Sequence, residues 1–425
     1  MLDIRTIRDD PEAVRAGAAR KRIPLDLDRL LALDDRRRAL IRQVEDVKAE
    51  QKRRGKAVGS LAPEARGAEV AALAQLKESI GAGEAELAAV MAEWEALMLR
   101  VPNIPASEVP DGKDESENVE LRRVGEVPDK GFPLLDHVEL GRRLQLLDIE
   151  RGVKVSGTRF YFLCGDGALL HRAVLAFALD HMVRKGFVPM EVPVLVRDAA
   201  MTGTAYFPGG EEQAYRLERD KLNLVGTAEV PLTSFRGGEI LQASELPLRL
   251  VAQSHCFRRE AGAAGKDTRG LYRIHQFQKV EQVVILPADE EASRAEHQAI
   301  LRNAEEVLEA LELPYRVVNV CGGDLGQPQV QKFDIETWMP SRNGYGETHS
   351  ASRFHDFQAR RLDLRYRDAQ GELRFCHTLN NTVIASPRIL IPILELYQQK
   401  DGSVVVPAAL RPWMGGREVL EPKLR

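Results

Sequence analysis

Cysteine is scarce in this chain and never clustered. Its four, Cys164, Cys256, Cys321 and Cys376, are far apart, with no CxxC pair and no metal-ligand spacing. They read as reduced core thiols in a reducing compartment, which places the protein in the cytoplasm. Long apolar runs are also missing. No stretch approaches the roughly 20 apolar residues of a membrane span. The opening MLDIRTIRDDPEAV is charged from the start and has no apolar h-region, so no signal peptide is expected. Basic charge is not in excess either. A formal net charge of -4 argues against wholesale coating of nucleic acid and leaves room only for a local basic surface. The two commonest nucleotide-binding loops, GxGxxG after a strand and GxxxxGK[ST], do not occur. What is present is 425 residues of ordinary globular composition, enough for two or three domains and a large core.

Two segments near the start carry a sustained heptad. Leu30, Leu33, Leu40, Val44, Val47 and Val58 fall on steps of three and four, as do Leu73, Leu76, Ile80, Leu87, Val90, Trp94, Leu97 and Val101. That period buries one narrow seam per helix. GSLAPEARG, punctuated by Gly59 and Pro63, separates them, so the spacing predicts an antiparallel coiled-coil hairpin over about residues 27–100. Helices of about 35 residues reach roughly 50 Å. So little core cannot make a compact domain, and the hairpin should project as an arm. Its first helix is basic, with Arg38, Arg42, Lys52, Arg53, Arg54 and Lys56 among its cations. A solvated coiled-coil face is one reading. Phosphate contact is the other, favoured by the cluster near the tip. Pro102, Pro105 and Pro110 end the arm, and the acidic stretch after them reads as a linker over 106–125.

The remainder alternates helical and strand-like runs. Residues 167–185 and 289–312 read as helices. FVPMEVPVLV reads as a strand interrupted by Pro189 and Pro193. LRLVAQSHCFRRE, YRIHQFQKVEQVVIL and LPYRVVNV also read as strands, and RRLDLRYRD with LRFCHTLNN as an antiparallel pair. This pattern predicts an α+β domain, a mostly antiparallel sheet flanked by helices, over 126–425.

Charge is unusually placed on three of these segments. Arg258 and Glu260 are two apart in FRREAG, hence expected on one strand face. Arg273, His275, Phe277, Lys279 and Glu281 share a face in the next strand. Between them AGAAGKDTRG, with Gly262, Gly265 and Gly270, could close over a ligand. Arginines with a flat aromatic suit a nucleoside triphosphate. An exposed salt-bridged ribbon is the alternative. Glu347 and Ser350 in GYGETHS are hard oxygen ligands of the kind Mg²⁺ accepts while bridging phosphates.

VGTAEVPL, FRREAG, the glycine-rich loop, DTRGLYRIHQFQKVE, GYGE, DFQARR and TLNN, in this order and spacing, resemble the bacterial seryl-tRNA synthetases, as does the two-helix N-terminus. The resemblance covers essentially the whole chain. It implies a class II aminoacyl-tRNA synthetase, working as a homodimer, with residues 1–105 as a tRNA-binding domain. VPMEVPVLV with Pro193 is then the first class motif at the dimer interface. FRRE through KVE is the second and TVIASPR the third. The resemblance assigns Arg258 to the ATP α-phosphate and the serine carboxylate. It assigns Glu260 and the backbone of Ile274 to adenine, Phe277 and Arg388 to its two faces, and Arg273 to the ATP site. Glu347 and Ser350 would hold Mg²⁺. Thr227, Glu229 and Glu281 would bind the serine amino group and side chain, with Asn380 and Thr382 at the hydroxyl. Arg258, Glu281 and Arg388 are the catalytic candidates.

The implied reaction activates L-serine with ATP and charges tRNA(Ser), and tRNA(Sec) where that exists. Asn381, Val383 and Ala385 stand where the third motif is often glycine-rich. Ser386 and Pro387 suit an N-cap and first helical position, setting Arg388 at a helix start, with Pro392 kinking the second turn. A paralogue loading a carrier protein and a non-catalytic RNA-binding homologue are the competing readings. The intact basic hairpin argues against the first and the complete set of phosphate and substrate residues against the second.

Overall fold

A computed structural model of the chain describes residues 1–262, 267 and 269–422; Gly265 of the glycine-rich loop lies outside the described residues. The chain forms two compact units. One holds residues 1–19 and 23–102, the other residues 20–22 and everything from 103 onward.

The first unit is helical: α1 (Ile4–Asp9), α2 (Pro11–Arg20), α3 (Leu27–Ala57) and α4 (Pro63–Met98). Asp26 caps α3 by accepting from the Arg29 amide, and Pro63 opens α4 where its missing N–H costs nothing. The helices α3 and α4 are the expected hairpin. Leu30, Leu33, Leu40 and Val44 are buried, whereas on α4 the seam residues Leu73, Leu76, Leu87, Val90, Trp94 and Leu97 are half-buried and only Ile80 is fully covered. Gly83 lets the helices close: a Cβ there would stand 2.9 Å from Val44 Cγ2. Arg29–Glu93 (2.7 Å), Lys48–Glu84 (2.6 Å), Arg54–Glu69 (2.7 Å) and Arg36–Glu86 cross the seam. Pairs at the surface are screened by water, so these set register more than stability. Asp34 is completely buried and held by Arg8 (3.1 Å) and Arg37 (2.7 Å).

The second unit is built on eight strands: β1 (Val119–Val124), β2 (Val188–Pro189), β3 (Leu248–Phe257), β4 (Gln276–Leu286), β5 (Tyr315–Asn319), β6 (Gln331–Met339), β7 (Gly344–His355) and β8 (His377–Ser386). Their order is β1-β5-β6-β7-β8-β4-β3-β2, antiparallel throughout except for the β2–β3 pair. One face is covered by α5 (Asp166–Arg184) and α7 (Glu290–Ala310), whose Val174, Ile300 and Ala304 join Val280 and Val284 of β4 in the main core. The opposite face is polar in its middle. Toward one end it closes under a smaller core, where Leu232 of α6 (Glu229–Ser234) meets Val283 and Ile285. The helix α8 (Leu390–Tyr397) follows β8. Among the described residues no helix is long and apolar enough to cross a membrane.

The stretch 106–125 is not a linker. The Ala106 amide bonds the Val330 carbonyl (3.0 Å), and β1 is an edge strand paired with β5, so its polar composition is that of an exposed edge. FVPMEVPVLV is not one interrupted strand. Pro193 lies between two-residue strands in different sheets; Pro189 is tolerated because β2 is an edge strand, whereas a proline cannot donate within a continuous ladder. Arg258 and Glu260 lie beyond the end of β3, and Arg273 and His275 before the start of β4. Arg388 precedes its helix rather than starting it, since Ser386 still belongs to β8 and α8 begins at Leu390. Pro392 is therefore the third residue of α8, where its amide would have no helical acceptor, and no kink is required.

Candidate active site

The polar face of the sheet floors a cavity of about 560 Å³. Strand alternation supplies it. Phe277, Lys279 and Glu281 point into it from β4, and Asn380 and Thr382 from β8. Two bulges keep the alternation in phase where chemistry needs it. Between β6 and β7 the register moves from Ile335↔His349 to Glu336↔Glu347, so Thr348 is an extra residue. In a regular strand Glu347 and Ser350, three apart, would face opposite ways. The bulge returns both to the cavity, together with Ser352. Between β4 and β8 the register moves from Val280↔Ile384 to Glu281↔Thr382, leaving Val383 unpaired, and Thr382 and Ala385 both line the cavity.

One end of the cavity is cationic and aromatic. The Arg258 guanidinium sits 5.3 Å from the Phe277 ring centroid, and its backbone continues the ladder past β3, its amide bonding the His275 carbonyl (3.0 Å). Glu260 follows in the left-handed region (φ 51°), which turns its carboxylate back to Arg273 at 3.4 Å. Arg388 is fixed in plane. Its Nε donates to the Tyr272 carbonyl (3.1 Å), its Nη1 to the Glu347 carbonyl (2.9 Å), and it stacks 4.5 Å from the Tyr272 ring. The Glu347 side chain is exposed to the open cavity yet lies deep within the unit. Burial pushes its carboxyl up, but Arg388, Lys332, Arg258 and Arg273 together outweigh that and hold it below the ordinary range.

The other end is buried and densely paired. Lys279 and Glu281 form an ion pair at 2.5 Å, both less than a tenth exposed, and Thr382 Oγ1 donates to Glu281 at 3.5 Å. Glu229, 6% exposed, accepts from Tyr206 Oη (2.7 Å) and Gln358 Nε2 (2.8 Å). Burial and the neighbouring Glu281 push its carboxyl up to about 7, against the two hydrogen bonds and Lys279. A site with two carboxylates, one ammonium and a row of hydroxyl and amide groups is built for a small polar cation rather than an apolar ligand.

The comparisons with known proteins agree along the whole chain. A model described as the seryl-tRNA synthetase N-terminal domain matches residues 1–105, and one described as the tRNA synthetase class II core domain (G, H, P, S and T) matches residues 215–397. The serine–tRNA ligase of Deinococcus radiodurans is 51% identical over 425 residues, all of both chains. The chain belongs to the seryl-tRNA synthetase family. Solved structures of the family agree. The seryl-tRNA synthetase of Pyrococcus horikoshii, complexed with ATP, superposes with a TM-score of 0.92 at 37% identity over all of both chains. The cytoplasmic serine–tRNA ligase of Naegleria fowleri, in complex with AMP, gives 0.89 at 31% over all of this chain and 99% of its own.

Of the family residues expected in the site, the structure gathers Glu229, Arg258, Glu260, Ile274, Phe277, Glu281, Glu347, Ser350, Asn380, Thr382 and Arg388 around one cavity. Two do not line it. Thr227 is buried behind, its Oγ1 accepting the Glu229 amide (3.2 Å), so it orients Glu229 at the start of α6. Arg273 is spent on Glu260 and Asp267 (3.3 Å). Sequence reasoning gave no role to Lys279, Tyr206, Gln358 or Tyr272, all of which touch or build the site. Lys279 alone left a trace, a lysine flanked by Phe277 and Glu281 on one strand face. The partners of Glu229 and Arg388 come from segments far away in sequence.

On the arm, Arg42, Lys52 and Lys56 are exposed and have no ion-pair partner among the described residues. Arg38 meets Asp35 (3.4 Å) and Arg53 meets Glu50 on their own helix, while Arg54 is committed across the hairpin to Glu69.

Proposed function

We propose that this chain activates L-serine with ATP, giving seryl-adenylate and pyrophosphate, and then transfers serine to the 3′ end of tRNA(Ser). The observation that carries this is the two-ended cavity: an arginine–aromatic end suited to a nucleoside triphosphate, continuous with a buried, hydrogen-bonding end suited to a small amino acid. The family's ATP- and AMP-bound structures support adenine-nucleotide binding at this fold.

In the first step the serine carboxylate attacks the α-phosphorus in line, and pyrophosphate leaves. Two anions must meet, so the task is alignment and charge neutralisation rather than proton transfer. Arg258 reaches both anions. Adenine lies between Phe277 and the plane of Arg388, with Glu260 and the Ile274 backbone at its edge. Glu229 and Glu281 receive the serine ammonium, and Thr382 and Asn380 the hydroxyl. Alanine then leaves those polar groups unpaired, a penalty that reaches on the order of 10⁴ in the best cases, while threonine is excluded by its methyl group.

Mg²⁺ fits the chain's own oxygens. The bulge at Thr348 brings the Glu347 carboxylate and the Ser350 hydroxyl to one face of the cavity, a small donor set that leaves room for phosphate oxygens. When bound there it would neutralise phosphate charge. In the second step the terminal ribose hydroxyl attacks the mixed anhydride and AMP leaves. The first unit acts as the tRNA-binding domain, with Arg42, Lys52 and Lys56 as free cations for the RNA backbone and Arg38 and Arg53 available by exchange from weak surface pairs. Exposed apolar side chains at Val155 (69%), Phe162, Leu169, Val183 and Val188 support a homodimer, and four free cysteines support a cytoplasmic location.

The test is amino-acid-dependent exchange of pyrophosphate into ATP, without tRNA, across serine, threonine, alanine and glycine. Exchange with serine alone is expected. Exchange with another amino acid favours the carrier-loading reading, and no exchange at all overturns the assignment.

A further inference from the structure

The wall of the cavity at its amino-acid end includes a short loop, Gly326, Gln327, Pro328 and Gln329. This loop lies between β5 and β6 and has no strand ladder of its own. Its backbone carbonyls are held from behind. The Lys21 ammonium donates to those of Gly326 (3.0 Å), Gln327 (2.9 Å) and Gln329 (2.5 Å). The Asn103 amide donates to Gln327 O (2.9 Å), and Asn103 Nδ2 to Pro328 O (3.0 Å) and to Phe354 O (2.8 Å). Every carbonyl of the loop therefore has a donor from one of two residues.

Those two residues have a particular place in the chain. Lys21 belongs to the three-residue stretch 20–22 that joins the second unit, and Asn103 is the first residue of that unit after the arm. Lys21 is 3% exposed, and burial pushes its ammonium well below the usual lysine range. A buried ammonium costs several kcal/mol unless it is fully hydrogen-bonded, so its three carbonyl acceptors are a fixed arrangement, not a surface contact. On its cavity side the loop reaches the serine end. Gln329 Nε2 donates to Ser352 Oγ (2.9 Å), and Ser352 is the register partner of Asn380.

We propose that Lys21, with Asn103, is a positioning residue of the amino-acid pocket: the N-terminal segment sets the 326–329 loop and through Ser352 the hydroxyl-binding face, so that this pocket is completed by a residue outside the sequence of the catalytic domain. The inference rests on the serine-activation reading above. Serine-dependent exchange by the unmodified protein tests that reading separately.

The experiment uses the full chain carrying Lys21→Met, which keeps the apolar stem and removes the donor, and in parallel Asn103→Ala. Serine-dependent pyrophosphate exchange is measured with either serine or ATP varied. Serine KM is expected to rise roughly tenfold in Lys21→Met, the order of one lost hydrogen bond to a charged group, with ATP KM within about twofold. Asn103→Ala should shift serine KM in the same direction. An unchanged serine KM in a folded Lys21→Met protein overturns the proposal, and so does an equal rise in both KM values, which is what a general loss of structure gives. If Lys21→Met does not fold, Asn103→Ala decides by the same split.

Discussion

Lowering the pH from 8 to 6 should weaken serine binding about tenfold, and Glu229 is the reason. Its carboxyl lies in a dry pocket beside Glu281, which together push its pKa up to about 7 despite hydrogen bonds from Tyr206 and Gln358. In the proposed pocket only the ionised form pairs with the serine ammonium. The apparent affinity therefore scales with the ionised fraction, about nine-tenths at pH 8 and about one-tenth at pH 6. Serine's own groups keep their charges over that range. The assay is serine KM in pyrophosphate exchange at saturating ATP, from pH 5.5 to 8.5, in the unmodified protein and in Glu229→Gln. The expected KM falls steeply with rising pH below about pH 7, roughly fivefold between pH 6 and 7, then by less than about twofold to pH 8, where it levels off. Glu229→Gln should have a higher and pH-independent KM. A flat profile in the unmodified protein, or the same slope retained in Glu229→Gln, would falsify the assignment.

Further outcomes follow from other parts of the structure. The same carboxyl affects stability: its folded value exceeds the unfolded value of 4.5, so between about pH 4.5 and 7 the folded state holds a proton the unfolded chain has released, and stability falls across that window by about 3 kcal/mol. Glu229→Gln should accordingly melt above the unmodified protein at pH 8 and lose that advantage near pH 4.5, which calorimetry reads. Glu281→Ala should abolish serine-dependent exchange with ATP binding largely retained, and should also lower stability by several kcal/mol because Lys279 is left buried without its partner. Normal exchange would remove Glu281 from the site. Ser350→Ala should raise the Mg²⁺ concentration needed for half-maximal exchange roughly tenfold while ATP KM at saturating Mg²⁺ changes little, and an unshifted titration would show that the hydroxyl is no ligand. Deleting residues 36–92 should spare adenylate formation and cripple charging of tRNA(Ser), whereas unchanged charging would show that the arm is not a tRNA reader.

The sequence was most informative where a period persists. The heptads of the arm run along α3 and α4 down to the half-buried Leu73, Leu76 and Leu87, and only the two end members, Val58 and Val101, fall just outside the helices. The long strands β3, β4 and β5 and the helices α5 and α7 lie within a few residues of their expected limits. The site residues were legible through the resemblance more than through pattern. Pattern placed Arg258 and Glu260 on a strand that ends at Phe257, and three-residue spacing by itself puts Glu347 and Ser350 on opposite faces. A bulge has no local signature here, because Thr348 is as ordinary a strand residue as its neighbours. The acidic run before β1 looked like a linker since an exposed edge strand has the composition of a loop. Lys21 gave no signal at all: a lysine between two arginines reads as surface, and only the folded carbonyls of residues 326–329 make it buried.

The two bulges bear on how this family can change over time. Every cavity-lining group on β7 and β8 depends on the count of residues between it and the nearest irregularity, not only on its identity. Replacing a side chain alters one contact, but adding or removing a single residue between Glu347 and Ser350 inverts everything downstream on that strand. Drift in composition is therefore cheap along these strands and drift in length is forbidden, unless a second change of length restores the phase within the same turn of the pleat.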